Sequence, residues 1–303
     1  MTEAEDKKIQ KISSILGHVI SVTVNEATVL ARLEKYFSPT PAKLAQNEEE
    51  GNLLQKQIDN LIEKLGGPPR LIIKGNDEKK STYDNYPIAA ISEIINVFHR
   101  VRRSVTRAQL YLTGSDLINK NPEILDLSAT DDVTKNLQEI VFEVFWEHVE
   151  TSLIRLVSYW DRVGQLFDFV FFGIRQFDRD GFTAVMDKIH NNIVPVHNEI
   201  KTSRSWIALR KFQTSENEDG LKWLLRRRNL IVHSVYLRPL GNSSEENTLF
   251  ESSYNHLDIK LRNKLKPGEP IEEIKKLNIH LSAAASLLKN VISLCEEYIS
   301  LVE

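Results

Sequence analysis

Between Val133 and Val170 apolar side chains return every three or four residues: Val133, Leu137, Ile140, Val144, Val149, Leu153, Leu156, Trp160, Val163, Phe167 and Val170. That period matches one face of an α-helix. Thr130 is a plausible N-cap, and Asp131 and Asp132 place carboxylates where a helix N-terminus favours them. The pattern predicts one helix of roughly forty residues with a broad buried stripe. Gly173 and the polar Asp178-Arg179-Asp180-Gly181 segment end it.

A second long helix is expected from Pro270, which suits a first turn. Ile274, Leu277, Leu281, Ala284, Leu288, Val291, Cys295, Tyr298 and Val302 then follow at heptad-like spacing. Between these two, shorter helices are read over about 182–200, disturbed at Pro195, and about 220–236. Residues 237–263 fit either a loop or a short hairpin. The N-terminal half reads as helical over about 6–37, 42–65 and 88–114, with Gly66-Gly67-Pro68-Pro69 as a strong breaker. The resulting expectation is an all-α chain with a helical N-terminal region, residues 1–125, and an up-and-down bundle, residues 126–303.

The 303 residues carry a net charge of −3, so overall charge does not point to nucleic acid. Its distribution does more. Residues 201–240 hold nine Lys/Arg and three Asp/Glu, a local +6. Such a field concentrates anionic partners, although a solvated helix face explains a charge cluster as well. With one cysteine, Cys295, an intrachain disulfide and a cysteine-rich zinc site are excluded, and its place on the apolar stripe suggests a buried thiol. The charged start, Met1 to Lys8, lacks the apolar core of a signal peptide. The most apolar run, Leu166 to Ile174, is broken by Asp168 and falls short of the ~20 residues of a membrane span. A soluble cytoplasmic protein with no membrane partner is the expectation.

Several chemistries lack their residues. No GxGxxG, GxxxxGK[ST] or HExxH is present. Asp187, His190 and His197 are interrupted by Pro195, so no metal or other cofactor is expected. Glu143, Glu147 and Glu150 read as a solvated acidic face. His148 reads as a partly buried, hydrogen-bonded histidine. A further basic cluster, Arg100, Arg102, Arg103 and Arg107, suits phosphate contacts or a plain surface helix.

What remains is Arg226-Arg227-Arg228-Asn229-Leu230-Ile231-Val232-His233. Histidine both gives and takes a proton near neutral pH. Arginine presents a fixed charge on a planar fork that fits phosphate oxygens. An arginine separated from a histidine by four to six residues is a weak pattern alone, with about one chance match expected here. Every such match in the chain converges on His233, at the peak of local positive charge.

Arg228-Asn229-Leu230-Ile231-Val232-His233 resembles the R-x(4–6)-H motif, with asparagine second, of HEPN domains (higher eukaryotes and prokaryotes nucleotide-binding). The resemblance covers roughly Thr130 to Glu303. In the branch paired with nucleotidyltransferase antitoxins, a tyrosine follows the histidine by two residues; here Val235 stands there and Tyr236 is next. The resemblance implies an all-α bundle, often a homodimer. It also implies a metal-independent endoribonuclease in a toxin, phage-defence or RNA-processing setting, with an antitoxin or regulatory protein as a further partner. Some HEPN domains instead bind without catalysis, and a purely structural helical adaptor is the third reading.

For RNA cleavage, the ribose 2′-OH needs a base, the 5′-oxygen an acid, and the phosphate positive charge. The expected roles are His233 as acid/base, Arg228 as phosphate clamp and Asn229 as orienting group. Arg226 is a second candidate clamp, and Arg227 an RNA-backbone or solvent-facing residue. Residues five apart diverge by about 140° on a regular helix. Arg228 and His233 therefore require convergence from a groove edge, a distorted helix, or a two-fold partner that completes the site.

Overall fold

A computed structural model describes residues 13–17, 19–21, 24–29, 32, 42–65, 86–120, 131–175, 181–233 and 245–302. Within those ranges, the side chains at 118, 119, 131–138, 233 and 246 lie outside the described set. The described residues form helices and no strands. The helices are α1 (Glu48–Leu65), α2 (Tyr86–Lys120), α3 (Asp131–Phe172), α4 (Phe182–Asn192), α5 (Asn198–Thr202), α6 (Arg204–Thr214), α7 (Leu221–His233), α8 (Glu245–Tyr254), α9 (Ile259–Leu265) and α10 (Pro270–Val302). Helical backbone also occurs at 13–17, 19–21 and 24–29. The chain is all-α, as its periodicity suggests.

α3 is the axis of the bundle. α2 lies antiparallel along it: Tyr86 meets Phe169, the Arg155 guanidinium reaches Ser104 and Arg100, and Tyr111 stacks on His148. α10 runs parallel to α3, with the buried Tyr159 hydroxyl donating to the Ala284 carbonyl at 2.9 Å and Phe171 stacked on Tyr298. One core cluster runs through these helices, from Leu54 and Ile58 on α1 through Val101 on α2 and Leu156 on α3 to Leu288 on α10. The sequence boundary near residue 125 therefore does not coincide with a break in packing.

α3 ends as its sequence suggests. Gly173 takes φ +67, a left-handed conformation that glycine adopts without penalty, and the Ile174 N–H turns back to the Asp168 carbonyl. Cys295 is fully buried, and burial raises its thiol pKa. The 182–200 region divides as expected around Pro195, into α4 and the short α5. Three helices depart from the sequence reading. α6 is additional; the Ser203 side chain caps it by accepting from the Ser205 and Trp206 N–H groups, and Trp206, Leu209 and Phe212 are its core contacts. α8 and α9 replace part of the expected loop or hairpin, with Phe250 and Leu265 buried and Asp258 capping α9. The expected breaker at 66–69, the cap Thr130, the segment 178–180 and the stretch 234–244 lie outside the described residues.

Candidate functional site

α7 carries the basic motif and packs across α3 and α6. Its buried seam is Trp223, Leu224, Arg227 and Leu230. Helical geometry turns Arg226 and Arg228 away from that seam by about 100° in opposite directions. The three consecutive arginines consequently meet three different surroundings.

Arg227 corrects an expectation. Rather than facing solvent or an RNA backbone, it is fully buried. Its Nη2 stands 2.7 Å from Glu273 Oε2, Nη1 donates to the Leu265 carbonyl, and its guanidinium lies 5.7 Å from the Trp223 ring centre. Glu273 also accepts from the Gly268 N–H at 3.0 Å and pairs with Lys276 at 3.4 Å. Burial alone would raise the Glu273 carboxyl pKa; the charges of Arg227 and Lys276 overcome that and hold it below its ordinary value. Arg227 thus ties α7 to α9 and α10. The Trp223 indole donates to the Lys264 carbonyl and stacks on the buried His280. Burial pushes that imidazole down to about 4, so it is neutral in the fold near pH 7.

Arg226 is partly exposed and sits 3.7 Å from Glu216, which Lys222 also contacts at 3.0 Å. The Lys222 hydrogen bond, then the Arg226 charge, keep the Glu216 carboxyl below its usual range.

Arg228 is half-buried, on the side of α7 towards α3. Its Nη1 donates to Asn229 Oδ1 at 3.0 Å, and Asn229 is exposed. Arg228 also acts on Asp161 of α3. Burial raises the Asp161 carboxyl pKa, against a hydrogen bond from the Phe182 N–H and the charges of Arg228 and Arg162. A Cβ at residue 181 would stand 2.8 Å from Asp161 Oδ1, so Gly181 lets that carboxylate reach the start of α4. The motif did not reveal Asp161, because it lies 67 positions upstream of Arg228 and only the α3–α7 packing joins them.

His233 closes α7, and its side chain lies outside the described residues. The helix is α-helical throughout 221–233, so no distortion between Arg228 and His233 relieves their divergence. Regular geometry sets the His233 Cα above Arg226, seven residues and about 10 Å earlier along the axis.

Elsewhere, Asp187 is engaged by Arg210 and by Gln213, the latter at 3.1 Å. Among the described residues no group of His, Cys, Asp and Glu could hold a metal, and no helix is long and apolar enough to cross a membrane. An open groove of about 520 Å³, lined by residues such as Leu112, Asp116, Glu139, Phe142 and Ile271, lies roughly 30 Å along α3 from Asp161. It is separate from the arginine motif. No family model, curated protein or solved structure matches this chain.

Proposed function

We propose that this chain is a HEPN-type, metal-independent endoribonuclease. Arg228 clamps the scissile phosphate, His233 transfers the proton, and Asn229 holds the Arg228 fork in place. The observation that carries the reading is the half-buried Arg228, which bonds its exposed neighbour Asn229, on a helix that ends at a histidine. A guanidinium so placed meets a phosphate without first leaving the core. A helix C-terminus also favours an imidazolium, which suits His233 as the acid.

The regular α7 supports a reading in which two copies share the reaction. Arg228 and His233 of one chain diverge, whereas a two-fold homodimer sets two such helices around one cleft. One histidine then takes the 2′-OH proton and the other protonates the leaving 5′-oxygen. A toxin, phage-defence or RNA-processing role, restrained by an antitoxin or regulatory protein, fits an enzyme that needs no metal to start. The same divergence, with Arg226 already paired to Glu216, favours a second reading: a non-catalytic module that binds nucleic acid, nucleotide or protein.

The two readings separate on RNA incubated with purified protein in EDTA. The enzyme reading expects cleavage by the wild type and at least about a hundredfold loss in both Arg228→Ala and His233→Ala. If the wild type and both variants leave RNA equally intact, the module reading replaces it.

A further inference from the structure

A second cationic surface lies on α2 and α3. Arg100, Arg103 and Arg107 fall within about 60° of arc on α2 and span about 10 Å. Arg100 and Arg103 are exposed. Arg102, which the sequence groups with them, lies about 100° around the helix from Arg103, its nearest neighbour in the stripe, and is half-buried. Its place is taken by a residue from another element. Arg155 of α3 is held beside the stripe by Ser104 Oγ at 2.5 Å and the Arg100 carbonyl at 3.3 Å. One turn beyond Arg107, Tyr111 stacks on His148 of α3, with ring centres 5.5 Å apart.

We propose that Arg100, Arg103, Arg107 and Arg155 form a binding surface for the phosphodiester backbone of single-stranded nucleic acid, with the half-buried Tyr111–His148 pair as a stacking contact at its end. The four guanidinium groups stand in unfavourable proximity. Burial, then the charges of Arg100, Arg107 and Arg103, lower the Arg155 pKa. A polyanion relieves that repulsion, and arginine forks fit phosphate oxygens better than a diffuse positive field requires. Burial and the Arg107 charge also lower the His148 pKa, against Glu147 and Glu26, favouring a neutral ring that can stack on a base. An arginine track ending in aromatic rings is the combination that binds single strands irrespective of sequence. Glu26 pairs with Arg107 at 2.9 Å. Both side chains are more than a third exposed, so solvent screens the pair and it contributes modestly, and it yields to a strand carrying a charge at every nucleotide.

The surface does not rest on the cleavage reading. A labelled oligothymidine of about 20 nucleotides tests it, because that strand lacks the 2′-hydroxyl and survives any such cleavage. By fluorescence anisotropy, Arg100→Gln/Arg103→Gln is expected to weaken binding at least about tenfold and to flatten the salt slope by about 1.4, the loss of two phosphate contacts. Both positions are exposed, so the fold is retained, and Arg103→Gln alone should flatten the slope by about half as much. Lys260→Gln/Lys275→Gln removes equal charge elsewhere and is expected to leave binding unchanged. Equal losses in the two double variants would reduce the surface to a diffuse field, and an unchanged Arg100→Gln/Arg103→Gln variant would also overturn the proposal. So would displacement of the oligonucleotide by phosphatidylserine vesicles or polyglutamate at matched charge.

Discussion

Arg227 and Arg228 are adjacent, yet their environments are opposite. Arg227 is sealed against Glu273, and removing one partner of a buried pair leaves an uncompensated charge. Arg227→Ala is therefore expected to cost about 3–5 kcal/mol in urea unfolding, whereas Arg228→Ala, at a half-buried residue with a solvent-accessible hydrogen bond, is expected to cost about 1 kcal/mol or less. Equal effects would refute the division of roles on α7. His280 carries a pH signature. Its folded pKa of about 4 is below the unfolded value near 6.5, so the unfolded chain binds the extra proton between them. Stability from this residue is complete above pH 6.5 and is lost as pH falls towards 4, a change of about 3 kcal/mol. Glu273 continues the trend: its folded pKa is depressed, so its contribution is present above the ordinary carboxylate range and lost in more acid solution. Unfolding free energies across this range should fall steadily in the wild type. His280→Gln should flatten only the upper window, and an unchanged profile there would contradict the assignment.

At the scale of elements, legibility followed the length of the apolar repeat. α3 and α10 carry enough turns for their stripes to stand out, and their boundaries in the structure agree closely with the sequence. α6 places only Trp206, Leu209 and Phe212 on its apolar face, and its clearest local signal is the Ser203 cap. α8 is weakly patterned and contributes one fully buried side chain, Phe250, so its place depends on tertiary packing. The motif singles out Arg228 as a candidate but carries no information on its surroundings. The burial of Arg227 was not legible either, because charge normally argues for the surface; only the seam formed with Trp223, Leu224 and Leu230 reveals it. The close contact of α3 and α4 gives a further test. A Cβ at Gly164 would stand 2.9 Å from the Phe182 backbone, which cannot yield as a flexible side chain does. Gly164→Ala is expected to lose about 1–3 kcal/mol despite its better helix propensity. A thermal melt showing stabilisation would contradict this packing.

Across the whole molecule, a continuous core joins what the sequence divides near residue 125. α2 covers α3 and also touches α10, so a fragment of residues 126–303 uncovers the face of α3 that carries His148, Arg155, Tyr159 and Phe169, and loses the buried Ile94, Phe98 and Val101. That fragment should therefore aggregate or lose its cooperative thermal transition, while the full chain melts cooperatively. A soluble, cooperatively folding fragment would show that the sequence boundary is a domain boundary after all. Function is also a property of the whole, since the nearby Arg228 and Asp161 belong to helices joined only by packing, and the proposed reaction needs a second copy. The most direct test is the chemistry of the ends left on RNA cut in EDTA. Attack by the ribose 2′-OH leaves a 2′,3′-cyclic phosphate and a free 5′-hydroxyl, and those ends are expected from the wild type and absent from His233→Ala. Intact RNA, or 5′-phosphate ends that appear only when a divalent metal is supplied, would contradict the account.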